Sequence, residues 1–189
     1  MDKVITDIKK ELRANMNGIA SAHMRQTEDY RVNWGVELPR LSSIAAEFTP
    51  GRALAQALWN ESTRECKILA CMLMPTDEFS EELCDLWAES IRTDEIATMF
   101  CHYLTPQLPY ACSKAFEWIA SEQPMLQNCG YLTLCHLLRK YELSPSAAHE
   151  FLDQASASLD NRYAIKALQI YASLSEAHAQ SVKKVADYL

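Results

Sequence analysis

The sequence is poor in residues that interrupt regular structure: only four of its 189 residues are glycine, and it has no low-complexity tract. Apolar residues make up 49% of the chain, enough for a buried core, so we do not expect disorder. A long apolar run is also missing, because the longest, Ile68 to Met74, is far shorter than the roughly 20 residues of a membrane-spanning helix. The N-terminus opens an amphipathic run instead of the apolar core of a signal peptide. We therefore predict a cytoplasmic protein that does not enter a membrane.

Metal-binding and disulfide motifs are missing as well. The seven cysteines, at positions 66, 71, 84, 101, 112, 129 and 135, are odd in number and contain no Cys-x-x-Cys pair. No two histidines have the i, i+4 spacing of a helical metal site, and the cluster of Cys129, Cys135 and His136 lacks a fourth ligand. We predict no metal, no cofactor and reduced cysteines that are mostly buried as small apolar residues.

Basic residues are scarce in the middle of the chain. Between Thr76 and Gln123 there are ten acidic residues and two basic ones, Arg92 and Lys114, so this segment carries a charge of −8 within an overall net charge of −7. A protein that binds duplex DNA gains affinity by neutralising phosphates with Lys and Arg. The segment would repel phosphate unless its acidic side chains face away from the bound DNA.

Strand signals are absent, because no hairpin dipeptide separates alternating apolar runs. Apolar residues instead recur at helical spacing. We predict Ser80 and Thr93 as N-caps, and Ser62 with Glu65 as a capping box. Helical runs are predicted to begin near residues 1, 38, 52, 62, 81, 94, 110, 125, 146, 162 and 175, with a break at Asn17-Gly18 in the first.

The phrase Trp-x-x-Ser occurs three times, beginning at Trp59, Trp87 and Trp118, with spacings of 28 and 31 residues. Each copy closes one helical run and precedes another, which is typical of stacked helix pairs. We predict an all-α, right-handed α-solenoid of HEAT-like antiparallel helix pairs. It forms one domain over residues 1–189, with an N-terminal helical cap (1–48), the repeats (52–174) and a capping helix (175–189).

The repetition has a structural interpretation. A tryptophan that ends one helix can pack its large ring into the seam with the next repeat. The serine is suited to the turn before the second helix of the pair, or to its N-cap. We therefore interpret the tryptophans as packing residues and not as residues that stack on bases.

Four phrases accompany this repeat, in the order Gly35–Leu41, Ala53–Trp59, Ser62–Ala70 and Ala164–Leu168. Together with Trp-x-x-Ser they resemble the AlkD-like family of DNA alkylation repair glycosylases, over roughly residues 30–173. The resemblance implies a curved stack of HEAT-like helix pairs whose concave face holds duplex DNA. The implied activity is excision of cationic alkylated purines such as 3-methyladenine and 7-methylguanine.

The catalytic residues of that family are replaced by other residues at the matching positions of this sequence. In the family, one inner helix bears a Trp and, four residues later, an Asp, one turn apart on one face. The carboxylate stabilises positive charge on the sugar or positions water, and the ring packs on the nucleotide. Asp94 stands in place of that Trp and Thr98 in place of that Asp, while a phosphate-holding Arg falls near Asn128. The Trp and Arg of the last pair are replaced by Ile170 and Ser173. The resemblance thus implies a member that has lost its active site.

Other residues of this region have two interpretations each. Asp94 lies one turn before Thr98 and could supply the missing carboxylate. Alternatively, it is a first-turn acid that interacts favourably with the helix dipole. His102 has the i, i+4 spacing to Thr98 of a groove histidine, whereas a dyad with Cys101 has poor geometry because adjacent helical residues point about 100° apart. Tyr30 and Trp34 either line the groove or pack against the N-terminal helices.

Several basic residues of the second half could hold phosphate. If they line the concave face, weak phosphate binding survives; if they lie on outer faces, they are solubility charges. This group consists of Arg139, Lys140, Arg162, Lys166, Lys183 and Lys184.

Three hypotheses about function follow. The first is a non-catalytic HEAT-like binding or scaffold protein whose partner is a protein or an unusual nucleic acid. The second is a working alkylpurine glycosylase with rearranged residues, Asp94 among them. The third is a non-catalytic protein that binds DNA structures. The replaced residues and the acidic segment oppose the second, and the acidic segment also argues against duplex DNA in the third.

Overall fold

The computed structural model describes residues 2–186 and shows twelve α-helices in that range. No strand occurs in the same range, where a single backbone bridge joins Val32 to Thr63. No helix among the described residues is long and apolar enough to cross a membrane. The helices are α1 (Asp2–Ala14), α2 (Gly18–Thr27), α3 (Leu38–Ala46), α4 (Arg52–Trp59), α5 (Arg64–Leu73), α6 (Glu81–Ser90), α7 (Asp94–Tyr103), α8 (Ala111–Ile119), α9 (Pro124–Leu137), α10 (Pro145–Ser156), α11 (Arg162–Ser173) and α12 (Glu176–Ala186).

The chain divides into two compact units, Met1–Leu108 and Pro109–Leu189. The single-domain plan predicted from the sequence remains a prediction, and residues 187–189 of the predicted capping helix lie outside the described residues. In the first unit, α5 is central and contacts α3, α4 and α7, while α1 packs on α4. Most of α5 is buried, and burial of each large aliphatic side chain contributes roughly 1.5–3 kcal/mol.

The predicted N-caps Ser80 and Thr93 begin their helices as expected. The Ser80 hydroxyl accepts from the backbone N–H of Leu83, and the Thr93 hydroxyl accepts from that of Ile96. The predicted break at Asn17-Gly18 is also confirmed, since the Asn17 side chain caps α2. Short polar side chains at these positions satisfy N–H groups that the helix cannot pair internally.

The predicted capping box of Ser62 and Glu65 is wrong. Helix α5 follows Thr63, whose side chain makes no capping hydrogen bond. The Glu65 carboxylate turns away from the helix start and accepts from the backbone N–H groups of Trp34 and Val36, at 3.2 Å each. These two N–H groups belong to a loop packed against α5, and a buried N–H without an acceptor costs about 1–3 kcal/mol.

Gly35 joins this loop to the N-terminal helices. Its φ is +72°, in the left-handed region that favours glycine. A Cβ added there would lie 2.2 Å from the carbonyl oxygen of Asn17, and the Asn17 N–H donates to the Trp34 carbonyl at 2.9 Å. Both the backbone angle and the close approach therefore require glycine.

In the second unit, α8 packs along α9, and α11 contacts α9, α10 and α12. Helix α9 is apolar nearly all round and mostly buried. Gly130 lets α8 approach it, because a Cβ there would lie 2.7 Å from the carbonyl oxygen of Ala115 and 2.9 Å from the backbone nitrogen of Ile119.

The cysteines are mostly buried, as predicted. Six are buried and Cys112 is exposed. Among the described residues, no group of three His, Cys, Asp or Glu side chains is placed to hold a metal ion.

Candidate functional site

The first turn of α7, where the resemblance places the family's chemistry, is closed by side chains of the protein. Thr93 caps the N–H of Ile96, and the Glu28 carboxylate accepts from the N–H groups of Asp94 and Glu95, both at 3.3 Å. Burial raises the pKa of Glu28, and these two backbone hydrogen bonds act against that rise. The positive end of the α7 dipole is thus already in contact with a carboxylate.

Glu95, the second residue of α7, forms a two-pronged ion pair with Arg64. The Arg64 Nη2 and Nε atoms donate to its two carboxylate oxygens at 2.5 and 2.7 Å, and the Tyr30 hydroxyl donates to Oε2. Burial would raise the pKa of Glu95, but the hydrogen bonds and charge of Arg64 hold it below its ordinary value. Burial and the neighbouring Glu95 raise the pKa of Tyr30. Tyr30 therefore acts as a neutral donor.

Arg64 and Glu65 extend this network into the core. The Arg64 side chain is 2% exposed and that of Glu65 is 0% exposed, and their charged groups lie 3.1 Å apart. Arg64 also donates to the Val36 carbonyl at 2.9 Å. Removing one member of such a buried pair typically costs 3–5 kcal/mol, so these residues hold the 34–36 loop, α5 and α7 together.

The residues that align with the catalytic pair are half-buried on α7. The Thr98 hydroxyl donates to the carbonyl oxygen of Asp94 at 2.8 Å, an i, i+4 contact within the helix. His102 is exposed, and its ring lies edge-on against Tyr103 at 4.8 Å. Asp94, Thr98 and His102 thus share α7, but a function for any of them stays a prediction.

Tyr30 and Trp34 lie in different surroundings. Tyr30 faces α7 through Glu95, whereas Trp34 lies beside α1, with the Arg13 guanidinium 5.4 Å from its ring centre. The Trp34 backbone is held by Glu65 and Asn17. For Trp34 this favours packing against the N-terminal helices, and stacking on DNA remains untested for both residues.

The other predicted binding residues belong to the second unit. The Asn128 amide oxygen accepts from the side chain of Asn161, the N-cap of α11, at 2.9 Å. Lys166 is exposed on α11, and Ile170 one turn later is half-buried. Asn128, Lys166 and Ile170 therefore lie on the neighbouring helices α9 and α11.

Two of the three repeated tryptophans pack between repeats, as predicted. The rings of Trp59 and Trp87 stack in parallel with their centres 4.2 Å apart, and both side chains are almost wholly buried. The Trp59 indole N–H donates to the hydroxyl of Ser90 at 3.0 Å, which joins the tryptophan of one phrase to the serine of the next. The alternative role of serine as N-cap is wrong for Ser62 and Ser90, because Thr63 and Thr93 occupy those positions.

Sequence reasoning missed a pocket in the first unit. A partly open cavity of about 180 Å³ lies between the 29–31 loop, the start of α5 and the 90–93 connection. Arg31, Lys67 and Arg92 line it, and we call these three residues the cationic pocket. Arg92 was visible in the sequence as one of two bases in the acidic segment, but nothing in the sequence indicated that the three would meet.

Lys67 is the most buried of the three residues of the cationic pocket. Its ammonium donates to the Trp59 carbonyl at 2.7 Å and lies 4.6 Å from the centre of the Trp59 ring. Burial lowers its pKa, and the charge of Arg92 lowers it further. The nearness of Arg92 to Lys67 concentrates positive charge in this cavity.

Comparison with known proteins gives two matches. A model of the family described as DNA alkylation repair enzyme matches residues 8–181. The chain is also similar to a solved structure described as "A new family of proteins related to the HEAT-like repeat DNA glycosylases with affinity for branched DNA structures". The TM-score is 0.85 at 18% sequence identity, over 95% of this chain and 82% of that one. No curated protein matches. The predicted all-α fold of HEAT-like helix pairs is therefore confirmed.

Proposed function

This chain belongs to the family of DNA alkylation repair enzymes, and from that premise we propose that it binds DNA, branched DNA in particular, without excising a base. The observation that carries the proposal is the closed first turn of α7. A glycosylase needs a carboxylate directed at the sugar. Here the Glu95 carboxylate is held by Arg64 and Tyr30, and that of Glu28 by backbone N–H groups of α7.

The DNA part of the proposal is supported by the family and by the solved structure, which is described as having affinity for branched DNA. A protein partner, the other half of our first hypothesis, has no such support. Seven free cysteines are usual in a reducing compartment, so a cytoplasmic location is part of the proposal.

Two assays on the full chain test this function. Alkylated duplex DNA should release no methylated purine, and a fluorescently labelled four-way junction should bind more tightly than a duplex of the same length. Release of 3-methyladenine or 7-methylguanine that disappears in Asp94→Asn would establish the glycosylase alternative. Equal affinity for junction and duplex would refute the preference for branched DNA.

A further inference from the structure

The cationic pocket carries positive charge that the protein does not neutralise. Among residues 2–186, Arg31, Lys67 and Arg92 form no ion pair with a carboxylate. Arg64, which also lines the cavity, is already paired with Glu65 and Glu95. The cavity thus brings together three cations that have no ion-pair partner among the described residues, in a chain whose net charge is −7.

We propose that the cationic pocket binds a phosphate group, and that in a DNA ligand this group is the terminal phosphate of a strand. The site goes beyond the proposed function, on which it rests only for the choice of DNA as the source of the phosphate.

Hydrogen-bond donors remain for such a ligand. The Lys67 ammonium has three N–H donors and gives one to the Trp59 carbonyl. Arg92 uses its Nη1 for the carbonyls of Glu89 and Ile91, which leaves its Nε and Nη2. The exposed Arg31 guanidinium can supply the two parallel hydrogen bonds that suit a phosphate.

The size of the cavity favours a phosphate group over a whole nucleotide. Its volume of about 180 Å³ is several times the ~30 Å³ that a water occupies in the liquid. It is below the roughly 300–1,000 Å³ of pockets that enclose drug-sized ligands. A strand end can insert one phosphate, whereas an internal phosphate of duplex DNA stays flanked by its neighbours.

Charge also favours a terminal phosphate. A phosphomonoester carries about −1.5 to −2 at pH 7, so it matches several cations better than the single charge of an internal phosphodiester. One exposed acid, Asp29, lines the cavity and lowers the net charge offered to the ligand.

Two acids of the acidic segment lie too far from the pocket to cancel this field, whereas Glu89 and Asp94 flank Arg92 in the sequence and lower the net charge that it offers. Glu81 and Glu82 lie in the first turn of α6, and Ser90 beside the pocket ends that helix. Eight residues of helix separate Glu82 from Ser90, or about 12 Å at 1.5 Å per residue. That exceeds the Debye length of about 8 Å at physiological ionic strength, so these acids are largely screened from the pocket.

The test compares two fluorescently labelled oligonucleotides of one sequence, with a 5′-phosphate or a 5′-hydroxyl, by anisotropy on the full chain. The phosphorylated strand should bind about ten-fold more tightly. Arg31→Gln and Arg92→Gln should each remove most of that difference, while Arg52→Gln, an exposed arginine outside the pocket, should keep it.

A titration with inorganic phosphate, monitored by NMR, distinguishes binding of free phosphate from binding of a strand end. Saturable shifts that are lost in Arg92→Gln, without discrimination between the oligonucleotides, would support the site and overturn DNA as its source. No discrimination and no shifts would overturn the site itself. A four-way junction with 5′-hydroxyl ends tests the proposed function separately, because it offers the pocket no terminal 5′-phosphate.

Discussion

At the scale of single residues, Glu95 has the clearest physical role. Its carboxylate joins Arg64 of α5, Tyr30 of the preceding loop and the start of α7. Arg64 is almost wholly buried, so its charge depends on carboxylate partners for stabilisation. We infer that Glu95 stabilises the fold, although it lies next to the position where the family keeps a catalytic residue.

Glu95→Gln should lower the free energy of unfolding by about 2 kcal/mol at neutral pH. This is less than the roughly 3–5 kcal/mol typical of breaking a buried ion pair, because Glu65 still pairs with Arg64. The pKa of Glu95 lies below its ordinary value in the folded protein, so its contribution is present at neutral pH. That contribution disappears as the pH falls through the lowered pKa. Urea unfolding of wild type and variant at several pH values should therefore show a difference that shrinks towards acid.

Glu28 contributes with the opposite sign because burial raises its pKa, and comparison at each pH removes that contribution except for the part of the rise that the charge of Glu95 itself causes. The control is Glu11→Gln, whose carboxylate pairs with Arg40 at 3.5 Å with both side chains well exposed, and its expected effect is below about 1 kcal/mol. A difference between wild type and Glu95→Gln that stays constant from neutral to acid pH would contradict the role of its charge.

Sequence alone predicted part of this residue-level structure. It indicated that α7 begins after Thr93 and that the family's acid is replaced by Thr98, because caps and motif positions are local in sequence. The ion pair of Arg64 with Glu95 spans 31 residues, and the cationic pocket joins residues 31, 67 and 92. Such contacts depend on how helices pack, which the local pattern does not specify.

At the scale of secondary-structure elements, the close approach of α8 and α9 depends on Gly130. Replacing glycine with alanine inside a helix normally stabilises it by about 1 kcal/mol. Here the new Cβ would lie 2.7 Å from a backbone oxygen of α8, which no side-chain rotation can relieve. Overpacking of this kind costs typically 1–3 kcal/mol, so the packing effect outweighs the gain in helix propensity.

Gly130→Ala should therefore lower the free energy of unfolding, by up to about 2 kcal/mol in thermal or urea unfolding. The matched control is Gly18→Ala at the start of α2, where nothing lies within 4 Å of an added Cβ. That variant should be neutral or more stable by up to about 1 kcal/mol. Gly130→Ala as stable as Gly18→Ala would show that α8 shifts at no cost.

The helices themselves were the most predictable elements. Their N-caps are local in sequence and are therefore visible in it. The spacing of Trp-x-x-Ser matches the structural repeat, since the Trp59 indole of one copy donates a hydrogen bond to Ser90 of the next. The capping box at Ser62 was wrong because the carboxylate of Glu65 satisfies a loop distant in sequence. The capping-box motif gives a wrong prediction here because the backbone N–H groups of Trp34 and Val36 bond the Glu65 carboxylate that the motif assigns to the helix start.

At the scale of the whole molecule, the sequence pattern predicts the fold class, whereas the charge composition does not identify the ligand. The helical periodicity and the ordered phrases led to the all-α fold of helix pairs. The acidic segment between Thr76 and Gln123 argues against duplex DNA, but its charge of −8 does not show where the basic side chains lie. Arg92 and Lys67 lie together in one cavity, whereas acids such as Glu81 and Glu82 lie on exposed helix surface.

This distribution predicts a shallow salt dependence of DNA binding. If the terminal phosphate held by the cationic pocket is the main phosphate contact, the plot of log affinity against log salt concentration should have a slope of about −1 to −2, since each neutralised phosphate charge contributes about −0.9 and a terminal phosphate carries up to two charges. Anisotropy with a 5′-phosphorylated four-way junction at several salt concentrations measures it. Arg92→Gln should reduce the slope by about 1, and Lys166→Gln reports whether α11 also contacts phosphate. A slope steeper than about −6 that is unchanged in Arg92→Gln would contradict the prediction, because it requires more cations than this pocket contains.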